Sequence, residues 1–170
     1  MSVSSQSTTQ SPARLRLSAP AKINLTLDVL GKRPDGYHEL CSLVMGVGLA
    51  DELEAEHRGE AGVELACDDA SLRGESNLAA RAARAVLSRS KPGCGARLTL
   101  RKGIPVGVGL GGGSSDAAAA LRLCRELWNA DADDRDLEAM GAALGSDVPL
   151  FFHLPAAVIR GRGDVVEPVV

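Results

Sequence analysis

A chain of 170 residues is long enough for one domain with a buried core. Its residues are 45% hydrophobic but only 2% aromatic, so that core is aliphatic, built from Leu, Val, Ile and Ala. A net charge of -3 excludes the basic footprint of a nucleic-acid binder, and no apolar run approaches the ~20 residues of a membrane helix.

Met1 to Pro12 are rich in Ser, Thr and Gln and lack the apolar core of a signal peptide. They are expected to form a disordered tail before one domain over 13–170. Arg14–Leu17 alternates as a short strand. Lys22–Leu30 alternates more clearly, with Ile23, Leu25, Leu27 and Val29 on one side and Lys22, Asn24, Thr26 and Asp28 on the other. Gly31–Gly36 reads as a turn by its Pro-Asp-Gly chemistry. Further strands are predicted over Leu43–Leu49, Leu53–Ala55, Val63–Cys67 and Arg97–Leu100.

Ser76 is the expected N-cap of a helix from Asn77 to about Ser90. A second helix follows a glycine-rich loop, with Ala117, Ala120, Leu121, Cys124 and Leu127 on one stripe. A third spans Asp134–Leu144 and ends at Gly145, a natural left-handed C′ residue. Phe151–Val170 reads as strands broken at Pro155 and Arg160–Gly163. The fold class is α+β: a mainly antiparallel sheet packed with helices. Cys41, Cys67, Cys94 and Cys124 show no C-x-x-C or zinc spacing and read as reduced thiols of a cytoplasmic protein. His57 and His153 read as structural.

The loop is the strongest chemical signal. Five glycines fall within Gly107–Gly113, preceded by Pro105 and followed by Ser114, Ser115 and Asp116. Glycines let several backbone N–H groups converge on one anion, and the free amides of the next helix face the same point. Ser114 and Ser115 supply hydroxyls for capping, for phosphate oxygens or for a magnesium ion. The loop lacks the G-K-[ST] of a Walker A motif. G-x-G-x-x-G is met by Gly107, Gly109 and Gly112, but not in an opening βαβ unit. The residues therefore indicate phosphate binding and leave the reaction open.

Pro105-x-Gly107-x-Gly109-Leu110-Gly111-Gly112-Gly113-Ser114-Ser115 resembles the phosphate loop of the GHMP kinases. Three further segments resemble motifs of one branch of that family: Ala19-Pro20-Ala21-Lys22-Ile23-Asn24-Leu25, Arg33-Pro34-Asp35-Gly36-Tyr37-His38-Glu39-Leu40 and Gly145-Ser146-Asp147-Val148-Pro149. The resemblance implies an amino-terminal, ATP-binding GHMP domain over 13–170, of the ribosomal protein S5 domain 2-like fold. Family members normally continue into a C-terminal domain, and the resemblance implies that these residues are the amino-terminal half.

The same resemblance implies a cytoplasmic small-molecule kinase using ATP and Mg2+. Its substrate would be a cytidine diphosphate-linked branched tetrol of non-mevalonate isoprenoid biosynthesis, phosphorylated on the 2-hydroxyl. It implies Asp147 as the base and Lys22 as its charge partner. Pro105, Gly107, Gly109, Leu110, Gly111, Gly112, Gly113, Ser114, Ser115 and Asn77 would bind the nucleotide, with Ser115 also on the metal. Asn24, Tyr37 and His38 would hold the substrate, Tyr37 by stacking on cytosine. Two alternatives stay open: a GHMP kinase for another small alcohol, and an ATP-binding module without catalysis. No nucleic-acid or membrane partner is expected, and oligomeric state is unassigned.

Overall fold

A computed structural model describes residues 14–169; the expected tail lies outside the described residues. Its spine is one 20-residue strand, β3, His38–His57. The two separate strands expected there are continuous, because β3 has partners along both edges. On one edge run β1 (Arg14–Asn24) and β2 (Asp28–Lys32), both antiparallel. On the other, β6 (Ala156–Gly161) pairs with residues 40–45 and β5 (Gly95–Arg101) with residues 52–57. β4 (Gly62–Cys67) extends the sheet beside β5, and β7 (Val165–Pro168) beside β6. Of the seven strands, only β4 and β5 run parallel, as the mainly antiparallel expectation has it.

Lys22–Leu30 is not one strand. The ladder stops at Asn24 and resumes at Asp28, because Thr26 turns its own groups onto β3. Thr26 Oγ1 accepts from Leu43 N at 3.0 Å, and its carbonyl accepts from Ser42 Oγ. The apolar side of this segment is also not core: Leu25, Leu27 and Val29 are 50%, 59% and 59% exposed, with no described element covering them.

Two helices cover one face of the sheet and a third packs against them. α1 is Leu78–Leu87, α2 Gly112–Trp128 and α3 Asp134–Leu144. The cap of α1 is Asn77, not Ser76: its side chain accepts from Ala79 N at 2.9 Å and Ala80 N at 3.4 Å. α1 stops short of Ser90 because the Ser88 and Ser90 hydroxyls bond back to Ala85 and Val86 carbonyls. α3 carries a capping box between Asp133 and Asp136. Gly145 closes it in extended backbone rather than the expected left-handed cap.

Ala117–Ala120 of α2 are buried, and their small side chains let the helix lie close on the sheet. Leu53 and Ala55 of β3, Leu98 and Leu100 of β5, and Val86, Leu121 and Cys124 of the helices complete an aliphatic core. Each such Leu or Val contributes about 1.5–3 kcal/mol by burial. Trp128 closes one end of it, its indole N–H on the Gly95 carbonyl at 3.2 Å. The opposite sheet face is solvated and laced with ion pairs, among them Arg14–Glu56 and Arg16–Glu54.

Candidate functional site

The loop between β5 and α2 encloses a cavity of about 240 Å3 whose other wall is the start of α1. Gly107, Gly109 and Gly111 have φ of 78°, 81° and 74°, so the chain coils back on itself and turns peptide groups inward. Gly111 is also fixed by space. A Cβ there would lie 2.8 Å from Phe151 Cζ and 3.0 Å from Lys22 Cγ. α2 begins at Gly112 without a side-chain cap. Its first amides and the positive end of its dipole are thus available to an anion at the loop. Asn77 and Leu78, with Leu72, form the facing wall.

Residues 77–154, which carry this loop, its helix and the facing cap residue, match the family model described as GHMP kinases N terminal domain. The chain contains a GHMP kinase N-terminal domain.

The GHMP kinase domain has close relatives. It is 42% identical over 155 residues to the 4-diphosphocytidyl-2-C-methyl-D-erythritol kinase of Thermodesulfovibrio yellowstonii, covering 91% of this chain and 53% of that protein. It is 45% identical over 164 residues to the protein of the same name from Desulfotalea psychrophila, covering 94% and 55%. A crystal structure of 4-(cytidine 5'-diphospho)-2C-methyl-D-erythritol kinase superposes with a TM-score of 0.82 at 41% identity, covering 92% of this chain and 55% of that one. The chain spans about half the length of the curated relatives it matches.

The GHMP kinase domain brings some of the expected residues together. Lys22 reaches the loop from β1: its backbone N–H donates to the Leu110 carbonyl at 2.9 Å, beside a register shift between Pro20 and Lys22. Its Nζ donates to Asn24 Oδ1 at 2.9 Å, and Asn24 Nδ2 donates to Ser42 Oγ at 2.7 Å. The expected Lys22–Asp147 pair is not formed; Asn24 holds the ammonium instead. Asp147 is half-buried just before the short helix Pro149–Phe152, and its recorded side-chain partner is Ser146 Oγ at 3.5 Å. Phe151 of that helix and the stem of Lys22 both pack against Gly111.

Tyr37 and His38 lie at the β2–β3 hairpin. Asp35 Oδ1 accepts from Tyr37 N at 3.1 Å, and the Arg162 guanidinium sits 5.0 Å from the centroid of the exposed Tyr37 ring. His153 pairs with Glu138 at 3.3 Å, consistent with a structural role. Ser115 departs from expectation. It is 2% exposed and lies in a separate cleft against Pro20 and Phe151, because its helical position turns it toward β1 rather than the loop cavity.

Sequence reasoning missed a buried triad beneath the loop. Lys102 Nζ donates to Asp51 Oδ2 and, at 2.8 Å, to Asp116 Oδ2. Asp51 Oδ1 accepts from Gly103 N at 2.7 Å and Ile104 N at 2.8 Å, which pins the entry of the loop to β3. Gly103 passes so close that a Cβ would meet the Ala50 carbonyl oxygen at 2.4 Å. Burial opposes the Lys102 charge, but its hydrogen bonds to Asp116 and Asp51, with the negative charge of both, together outweigh it and raise its pKa. Burial likewise pushes the Asp116 carboxyl up to about 7, against the pull of Lys102. The one available signal was Asp51, an acid amid the apolar alternation of β3.

Proposed function

We propose that this chain binds ATP in the glycine loop and forms the nucleotide-binding half of a kinase. That kinase transfers the γ-phosphoryl group to the 2-hydroxyl of 4-diphosphocytidyl-2-C-methyl-D-erythritol in non-mevalonate isoprenoid biosynthesis. The observation that carries the reading is the loop cavity at the uncapped start of α2, in a chain over 40% identical to proteins named for that activity. The amides of Gly107–Gly113 receive the phosphates. Pro105 and Leu110 shape the loop, Ser114 stands in the first helical turn, and Asn77 faces the nucleoside.

Asp147 takes the proton of the acceptor hydroxyl, whose oxygen attacks the γ-phosphorus as ADP leaves. Lys22, held by Asn24, places positive charge at the edge of the loop where negative charge develops. Tyr37 offers an exposed ring for cytosine to stack on, and His38 a hydrogen bond to it. No group of three or more His, Cys, Asp or Glu converges among the described residues, and Ser115 lines a separate cleft. Magnesium would therefore be held chiefly by the ATP phosphates, where it would neutralise their charge.

The unformed Lys22–Asp147 pair favours one other reading, an ATP-binding module without turnover. Calorimetric titration with ATP, then with the cytidine substrate, separates the two. Binding of both, with ADP release that Asp147→Asn abolishes, supports the kinase. ATP binding alone supports the module, and full turnover by Asp147→Asn would remove the base assignment.

A further inference from the structure

Asp116 lies one turn into α2, is 3% exposed and lines the loop cavity. Its Oδ2 is taken by Lys102 at 2.8 Å. Its Oδ1 is the one buried side-chain nitrogen or oxygen among the described residues without a hydrogen-bond partner. An oxygen left in that state costs about 1–3 kcal/mol. No neighbour donates to it. Lys102 is directed to Asp51 and to Asp116 Oδ2, and Asp51 is itself an acceptor. The Asn77 amide donates to the Leu72 carbonyl, and its oxygen caps α1. What remains is a ligand in the cavity.

The chemistry narrows which part of the ligand. The phosphate oxygens offer acceptors and negative charge, both wrong for a carboxylate, and the loop amides already suit them; magnesium carried on them is told apart by titrating with and without the metal. The nucleoside half carries donors. Gly113 and Asp116 are three residues apart and share a face of α2. A Cβ on Gly113 would lie 3.7 Å from Leu78 Cδ1, so this face looks toward the wall of Leu72, Asn77 and Leu78. That wall sets the apolar side chains of Leu72 and Leu78 beside polar groups, a lining that suits a base.

We propose that Asp116 Oδ1 accepts a hydrogen bond from the nucleoside half of the bound nucleotide, from the exocyclic amine of adenine or a ribose hydroxyl, and so determines nucleotide specificity. The inference rests on the reading of the loop as an ATP site. Lys102 orients the carboxyl, and Asp51 keeps Lys102 in place. The other charged groups around it are few: Asp68, after β4, holds the Lys102 amide rather than its ammonium, and α1 presents only neutral Asn77 and Leu78.

The test is calorimetric titration of the full chain and of Asp116→Asn with ATP, ITP, 2′-deoxy-ATP and 3′-deoxy-ATP, with thermal denaturation to establish folding. The wild type is expected to prefer ATP over ITP or over one deoxy analogue by about tenfold or more. Asp116→Asn is expected to erase that preference, since a carboxamide can also donate to the inosine carbonyl. A change confined to ITP names the amine; one confined to a deoxy analogue names the hydroxyl. Unchanged ratios in Asp116→Asn overturn the proposal while leaving the ATP site intact. Absence of ATP binding by the wild type overturns the site and the proposal together. Should Asp116→Asn not fold, the wild type decides alone: equal affinities for all four nucleotides overturn the proposal.

Discussion

The backbone N–H of Lys22 donates to the Leu110 carbonyl across 2.9 Å, tying the strand that carries the lysine to the loop that turns into α2. The residue next to that carbonyl, Gly111, fills the narrow space between the Lys22 stem and the Phe151 ring. Gly111→Ala must place a Cβ in contact with both while holding φ at 74°. Left-handed strain and overpacking together predict a loss of about 2–4 kcal/mol in urea denaturation. ATP affinity should fall as well, because Phe151 or the strand must move. A loss under about 0.5 kcal/mol would contradict the packing described.

Asp51 accepts two backbone amides and the Lys102 ammonium while fully buried. Asp51→Ala strands two amides and leaves the buried Lys102 cation with Asp116 alone, at a cost of about 3–5 kcal/mol. That approaches the whole stability of many domains. The variant is expected to be largely unfolded by circular dichroism at room temperature. A cooperative melt close to that of the wild type would show that water replaces the carboxylate.

Asp116 predicts a pH dependence of stability. The folded carboxyl keeps its proton to about pH 7, whereas the ordinary value is 3.8. Between these values the folded state binds more protons than the unfolded state, so this group lowers stability as pH rises and changes nothing further above the window. The contribution reaches at most about 4 kcal/mol. The difference in stability between Asp116→Asn and wild type, from denaturant titrations, should grow in favour of Asn from acid to neutral pH. A constant difference would place the carboxyl in the ordinary range.

Asn77 combines a helix cap with a place on the cavity wall. Asn77→Ala removes the cap and should cost about 1 kcal/mol of stability. Asn77→Asp keeps the capping oxygens and suits the N-terminus of α1, so its stability should stay within about 1 kcal/mol of wild type. It nevertheless sets a negative charge on the wall of an anion site, and ATP should bind about five- to tenfold more weakly. Equal affinities for Asn77→Asp and Asn77→Ala would separate this wall from the phosphates.

The sequence by itself determined the glycine loop, the helix behind it, the third helix, the α+β class and the resemblance that the family match bears out. These are local: glycine spacing, apolar periodicity and ordered short motifs act over a few residues and survive in a linear reading. Only the tertiary structure decided which residues meet. Asp51, Lys102 and Asp116 come from a strand, a strand end and a helix, and burial in one place forces them to share charge. Tertiary contacts also moved Ser115 away from the loop, since its neighbours on α2 must pack on β1. They tied Lys22 to Asn24 rather than Asp147 and left the apolar side of Leu25–Val29 exposed. Alternation states that a strand has two faces, but only the elements that dock on it choose which one is buried.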